Sequence, residues 1–258
     1  MNRLTEAFNK NGKAFIPFIT CGDPDLETTE KLVYAMVEAG ADIIELGIPF
    51  SDPIAEGVVI QEADERSLKG GTTTDNIFET VERVRKNTDI PLVFMTYYNP
   101  VFSYGNERFL EKAKKAGIDG IIIPDVPFEE SEEVRGVCED NGITLINMIA
   151  PTSEERIEKI AKASEGFLYC VSSLGVTGVR EKINTDVASM IQKVRQASDV
   201  PCAIGFGISN TEQASAMAKI SDGVIVGSAI VRIVAKEGRN AVEPVAAYVS
   251  EMKTAANS

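Results

Sequence analysis

The chain has 258 residues, of which 44% are apolar, enough to bury the core of one large α/β domain. Its formal net charge of −13 argues against a nucleic-acid or anionic-membrane partner, since both would repel it. No apolar run approaches the roughly 20 residues of a transmembrane helix, and the opening segment Met1–Glu6 lacks the apolar heart of a signal peptide, so a cytoplasmic protein is expected.

In chain order, the segment Asn2–Asn11 carries Leu4 and Phe8 at i, i+4 and predicts a helix ahead of the first strand. Short β-branched runs then recur at Phe15–Thr20, Ile43–Gly47, Leu92–Tyr97, Gly120–Pro124, Thr144–Ile149, Phe167–Val171, Pro201–Gly205 and Gly223–Val226. Most are continuously apolar rather than alternating, as parallel strands covered on both faces require. Amphipathic helical patterns lie between them. Leu32, Val33, Met36 and Val37 form one stripe, and Ile77, Val81 and Val84 form another behind Asp75, an expected N-cap. Thr152 and Glu155 read as a capping box ahead of Ile157 and Ile160. Met190, Ile191 and Val194 follow Asp186. Ala39-Gly40 and Ala116-Gly117 read as helix ends.

Eight such units predict a single (β/α)8 barrel over residues 1–258, with the extra N-terminal helix at its floor and an extra short helix, 229–234, after the last strand. A doubly wound open sheet is the alternative, but no GxGxxG follows the first strand. Cys21, Cys138, Cys170 and Cys202 are far apart, form no CxxC and have no histidine beside them, so no metal site is expected and the cysteines read as reduced and buried.

A barrel carries its chemistry at the C-terminal ends of its strands. Glu45 stands there, inside the apolar run Ile43–Gly47. A carboxylate in such a strand is costly unless it is paired, protonated or used. Glu56 lies eleven residues on, in a Gly/Pro/Asp-rich loop. In a chain without histidine, a carboxylate with raised pKa is the candidate acid and base. The competing readings are a Glu45 held by backbone amides and a Glu56 that is merely solvated. Asp125, after the fourth strand, is either structural or substrate-orienting. Three glycine-rich turns follow the last three strands: Ser172–Gly178, Gly205–Ser209 and Gly227–Ala229. Bare backbone N–H groups in such turns cradle anions, and Ser228 opens a helical stretch whose N-terminus would face a phosphate; alternatively, the glycines only make tight turns. No lysine sits in the sixth strand, and Lys13 precedes the first, so an imine mechanism has little support.

Together these motifs strongly resemble the tryptophan synthase alpha chain family. The resemblance rests on Pro17–Pro24, Glu45–Pro53, Gly70–Thr73, Pro124–Pro127, Gly175–Gly178, Gly205–Ser209 and Gly227–Val231, which span the chain. It implies a lyase that cleaves indole-3-glycerol phosphate to indole and glyceraldehyde 3-phosphate without a cofactor of its own. It also implies a pyridoxal-phosphate-dependent beta chain as partner in an αββα assembly. Glu45 would serve indole C3 and the side-chain hydroxyl, and Glu56 the indole nitrogen. Phe18, Ile60, Tyr97, Ile122, Ile149 and Tyr169 would wall the indole end. Thr177 and Gly178 would belong to a closing loop. Gly178, Gly207, Gly227 and Ser228 would bind phosphate, and Asp52 and Asn99–Tyr104 would meet the beta chain. The sequence departs from the family pattern at Glu56, usually aspartate, at Val58, usually proline, and at Ser173, often arginine. Glu56 motivates a second reading, a weakly catalytic regulatory subunit that binds the phosphate ligand and activates its partner. Another phosphate-binding barrel, such as a sugar-phosphate isomerase, is a third.

Overall fold

The computed structural model shows strand and helix alternating around one closed ring. It describes residues 3–9, 12–153, 155–172, 180–205 and 207–258, with backbone alone for 180–186. The strands are β1 Ala14–Thr20, β2 Ile44–Gly47, β3 Leu92–Met95, β4 Gly120–Ile122, β5 Thr144–Leu145, β6 Met148–Ile149, β7 Leu168–Val171, β8 Cys202–Gly205 and β9 Gly223–Val226. All pair in parallel, in the order β5-β4-β3-β2-β1-β9-β8-β7-β6. The helices are α1 Arg3–Phe8, α2 Leu26–Glu38, α3 Val58–Lys69, α4 Thr74–Val84, α5 Tyr98–Tyr104, α6 Asn106–Ala116, α7 Glu132–Asp140, α8 Ile157–Lys162, α9 Arg180–Ala197, α10 Thr211–Ile220, α11 Ser228–Glu237 and α12 Val242–Ala256.

The expected strand 144–149 is present as two pieces, each serving one neighbour. β5 pairs with β4 and β6 with β7. Between them Ile146 N–H donates to the Ile121 carbonyl at 2.9 Å, and the Asn147 carbonyl accepts from Tyr169 N–H at 3.0 Å. The ring therefore closes as the (β/α)8 barrel the sequence predicts, through a strand that hands its bonding from one side to the other.

Burial follows the alternation of strand side chains. Ile16, Phe18, Ile43, Val93, Met95, Ile122, Ile146, Tyr169, Ala203 and Ile225 fill the interior of the ring. Phe15, Ile19, Ile44, Leu46, Leu92, Phe94, Leu168 and Val224 pack outward under the helices. This double burial makes the runs continuously apolar. The N-terminal helix sits at the floor as expected: Leu4 is fully buried in the interior cluster, and the Phe8 ring lies 5.5 Å from that of Phe167. The four cysteines are free and buried.

Several boundaries differ from expectation. The third strand ends at Met95, because Tyr97 caps α5, and the fourth ends at Ile122. Thr73, not Asp75, caps α4, accepting from Asn76 N–H at 3.2 Å; Asp75 instead pairs with Lys112. Thr152 forms no capping box, because Pro151–Ser153 makes a 3-10 turn and α8 starts only at Ile157. Helix α9 begins at Arg180, which places Asp186 in its interior. The two Ala-Gly helix ends are as read, with Gly40 and Gly117 both at φ 99°.

Candidate active site

Alternation along β2 sends Ile44 and Leu46 outward and Glu45 inward. Glu45 is 1% exposed and stands in register with Phe18 of β1 and Val93 of β3. Its neighbour Gly47 leaves space for the Phe18 ring: a Cβ there would lie 2.6 Å from Phe18 Cζ. Gly205 does the same for Tyr169, whose Cζ would lie 2.6 Å from a Cβ. Two missing side chains thus admit two aromatic rings to the barrel mouth.

A cavity of about 840 Å³ opens at this rim. It is lined by Phe18, Glu45, Glu56, Ile60, Ile149 and Tyr169 on one part and by Gly207, Gly227 and Ser228 on another. The two acids therefore share a cavity with two of the three glycine turns. Gly207 adopts φ 80°, and Gly227 precedes the first turn of α11, so backbone donors of that turn face the same space. Arg232, one turn along α11 from Ser228, also lines the cavity. Sequence reasoning passed over it, although its i+4 spacing from Ser228 carries the signal.

Two expected wall residues, Ile122 and Tyr97, and the candidate orienting residue Asp125 stand off the cavity lining. Ile122 is buried in the barrel interior rather than on the cavity lining. Tyr97 lies behind the wall, where its hydroxyl oxygen accepts from Ala55 N–H at 2.8 Å and so braces the loop carrying Glu56. Asp125 accepts from Tyr98 N–H at 2.9 and 3.2 Å, a cap on the first turn of α5. Thr177, Gly178 and Ser173 lie outside the described residues.

Glu45 Oε2 and Glu56 Oε2 are both buried with no hydrogen-bond partner among the described residues. Burial, and then the charge of Glu56, pushes the Glu45 carboxyl up to about 8. Glu56 is also raised to about 8, by burial and then by Asp64. Asp64, on the inner face of α3 with Ile60, Ala63 and Ser67, is 4% exposed and raised to about 7, chiefly by burial. Sequence reasoning missed it too. The Tyr169 phenol is held well above its ordinary value by burial and by the two glutamates. An acid that keeps its proton near neutral pH can deliver one in a reaction. Among the described residues, no group of three or more His, Cys, Asp or Glu is arranged to hold a metal ion.

A parallel ring whose C-terminal rim joins uncompensated carboxylates to a helix N-terminus places this chain among the (β/α)8-barrel enzymes of acid–base chemistry. The family model described as Tryptophan synthase alpha chain matches residues 4–257. The chain belongs to the tryptophan synthase alpha chain family, carbon–carbon lyases that cleave indole-3-glycerol phosphate in tryptophan biosynthesis. The alpha chain of Lacticaseibacillus casei is 47% identical over 258 residues, covering 100% of this chain and 97% of that one. That of Caldanaerobacter subterraneus is 51% identical over 240 residues, 92% of each. Among solved structures, the alpha subunit from Legionella pneumophila superposes with a TM-score of 0.90 at 36% identity, covering 99% and 98% of the two chains. A chain of the Pyrococcus furiosus tryptophan synthase a2b2 complex gives 0.86 at 38% identity, covering 93% and 98%. Among the described residues, no helix is long and apolar enough to cross a membrane.

Proposed function

We propose that this chain cleaves indole-3-glycerol phosphate with Glu45 and Glu56 as its acid–base pair. The observation that carries the assignment is the shared cavity, with both carboxylates at one part and Gly207, Gly227 and Ser228 at another. The phosphate lies on the turns at the start of α11, and the indole ring lies against Phe18, Ile60, Ile149 and Tyr169. Glu45, protonated near neutral pH, delivers a proton to indole C3. The C–C bond then breaks with its electron pair returning to the ring, and the side-chain hydroxyl loses its proton to Glu45 as the aldehyde forms. Glu45 thus ends as it began. Glu56 accepts a hydrogen bond from the indole N–H, which stabilises the positive charge the ring carries between protonation at C3 and cleavage, and the N–H proton stays on nitrogen throughout. No cofactor enters these steps; pyridoxal phosphate belongs to the partner chain alone.

The partner is a beta chain in an αββα assembly. What supports this is large apolar side chains left in solvent on the segments around the site: Ile54, Val58 and Phe102 are 80%, 66% and 65% exposed. Phe102 sits in the 99–104 segment of α5, and Tyr97, at the N-terminal end of that helix, braces the loop that holds Ile54. The decisive assay is indole formation from indole-3-glycerol phosphate, with the chain alone and with a beta chain added. Glu45→Gln abolishes indole release while substrate still binds; near-normal turnover by that variant refutes the assignment.

A further inference from the structure

Among the described residues, two cationic side chains line the cavity at the barrel rim, Arg156 and Arg232. Arg156, just before α8, is committed elsewhere: its guanidinium bonds Glu129 Oε2 at 2.5 Å. Arg232 forms no ion pair among the described residues, although the chain carries 39 acidic and 26 basic residues. Its neighbours along the chain, Lys236 and Arg239, do pair, with Glu237 and Asp25. The carboxyl groups on the lining, Glu45 and Glu56, keep their protons near neutral pH. Among the described residues, the uncompensated charge of the lining therefore rests on Arg232.

Its place on α11 aims that charge. Arg232 stands four residues after Ser228 on the same helix face, and helical side chains lean toward the N-terminus. Its side chain thus extends back along the first turn. That turn has donors to offer. Ile230 and Val231 N–H both turn back to the Gly227 carbonyl, at 2.8 and 3.1 Å, while Ser228 and Ala229 N–H have no backbone acceptor among the described residues. Ser209, also on the lining, is by contrast used up. Its N–H and hydroxyl both donate to Gln213 Oε1, at 2.8 and 3.1 Å, and its carbonyl accepts from the Tyr248 hydroxyl at 3.1 Å.

We infer that Arg232 is a specificity-determining residue of the cleavage: its charge selects a dianionic phosphate ester at the first turn of α11 over neutral compounds of the same shape. This rests on the phosphate end assigned in the proposed function. Backbone N–H groups at a helix start give direction but only partial charge. A full positive charge separates a dianion from a neutral group, and it does so here against an overall net charge of −13 that opposes the approach of any anion. Arg232 is exposed, so its replacement leaves the core intact.

The test uses the full chain, its Arg232→Met variant, which keeps the length and drops the charge, and its Arg232→Lys variant, which keeps the charge. A unit charge acting through water on a dianion about 6 Å away changes binding by about tenfold at low salt. Arg232→Met therefore raises KM for indole-3-glycerol phosphate about tenfold with kcat within about twofold, and Arg232→Lys stays within about threefold of the wild type on both. Calorimetric titration with glycerol 3-phosphate gives the same order of affinities, whereas the affinity for indole, which carries no phosphate, is the same in all three. A KM and a glycerol 3-phosphate affinity unmoved in Arg232→Met overturn the inference. So does a loss that extends equally to indole or to Arg232→Lys, which marks packing rather than charge. Absence of indole formation by the wild-type chain would instead refute the functional assignment, and the glycerol 3-phosphate titration would still decide the role of Arg232.

Discussion

Replacing Glu45 by glutamine converts a buried acid into a neutral group of nearly the same shape, and the change should register as pH-dependent stability. The native carboxyl titrates at about 8 against an ordinary 4.5, with burial as the main cause. At about 1.4 kcal/mol per unit, full ionisation costs the native state up to about 5 kcal/mol. The sign follows from linkage. The folded-state pKa is raised, so the stability is fully present below about pH 4.5 and is lost as pH climbs through about 8. Glutamine has no proton to lose, and whatever its amide contributes is constant with pH. Chemical denaturation of the wild type and Glu45→Gln at pH 5, 7 and 9, followed by far-UV circular dichroism, reads the difference. The variant should gain on the wild type by several kcal/mol between pH 5 and 9, including the relief of repulsion with Glu56. A gap that stays flat across that range would refute the claim that Glu45 is held in a dry, uncompensated site.

Two further substitutions probe opposite ends of the barrel. Ser228→Asp puts a negative charge at the first turn of α11, where it suits the helix but repels a phosphate; KM should rise at least about tenfold with no fall in melting temperature, as steady-state kinetics and a thermal scan will show. Leu4→Ala removes the buried plug from the barrel floor and should destabilise by about 2–5 kcal/mol in urea denaturation while leaving KM unchanged, because the cavity lies at the other rim.

The barrel was legible because strands covered on both faces leave uninterrupted apolar runs, and Glu45 was legible because a charge inside such a run has few uses. The glycine turns after β8 and β9 were readable from their place after the last strands. Asp64 was hidden by its neighbours. It lies in Glu62-Ala63-Asp64-Glu65-Arg66, a stretch that reads as a solvated face, and only the helical period with Ile60, Ala63 and Ser67 turns it inward. Tyr97 shows a different failure. Its ring suits an indole wall, but the extended backbone there ends the strand and aims the hydroxyl at Ala55. Asp125 had two readings, and the two bonds from Tyr98 N–H favour the structural one. Helix starts were misread where two cap candidates stood close together, as at Thr73 and Asp75, since only the fold decides which side chain reaches the free N–H.

The divided strand at 144–149 gives the ring a clasp. Each half-strand holds on by two paired positions, fewer than the three or four that join β1 to β2 and β9, β2 to β3, β3 to β4 and β7 to β8. Leu145, Ile146, Asn147, Met148 and Ile149 all border the cavity, so this short-laddered link of the hoop is also part of its mouth. A molecule resting on that stretch spans both sides of the clasp and fastens it, which couples occupancy of the mouth to the rigidity of the whole hoop.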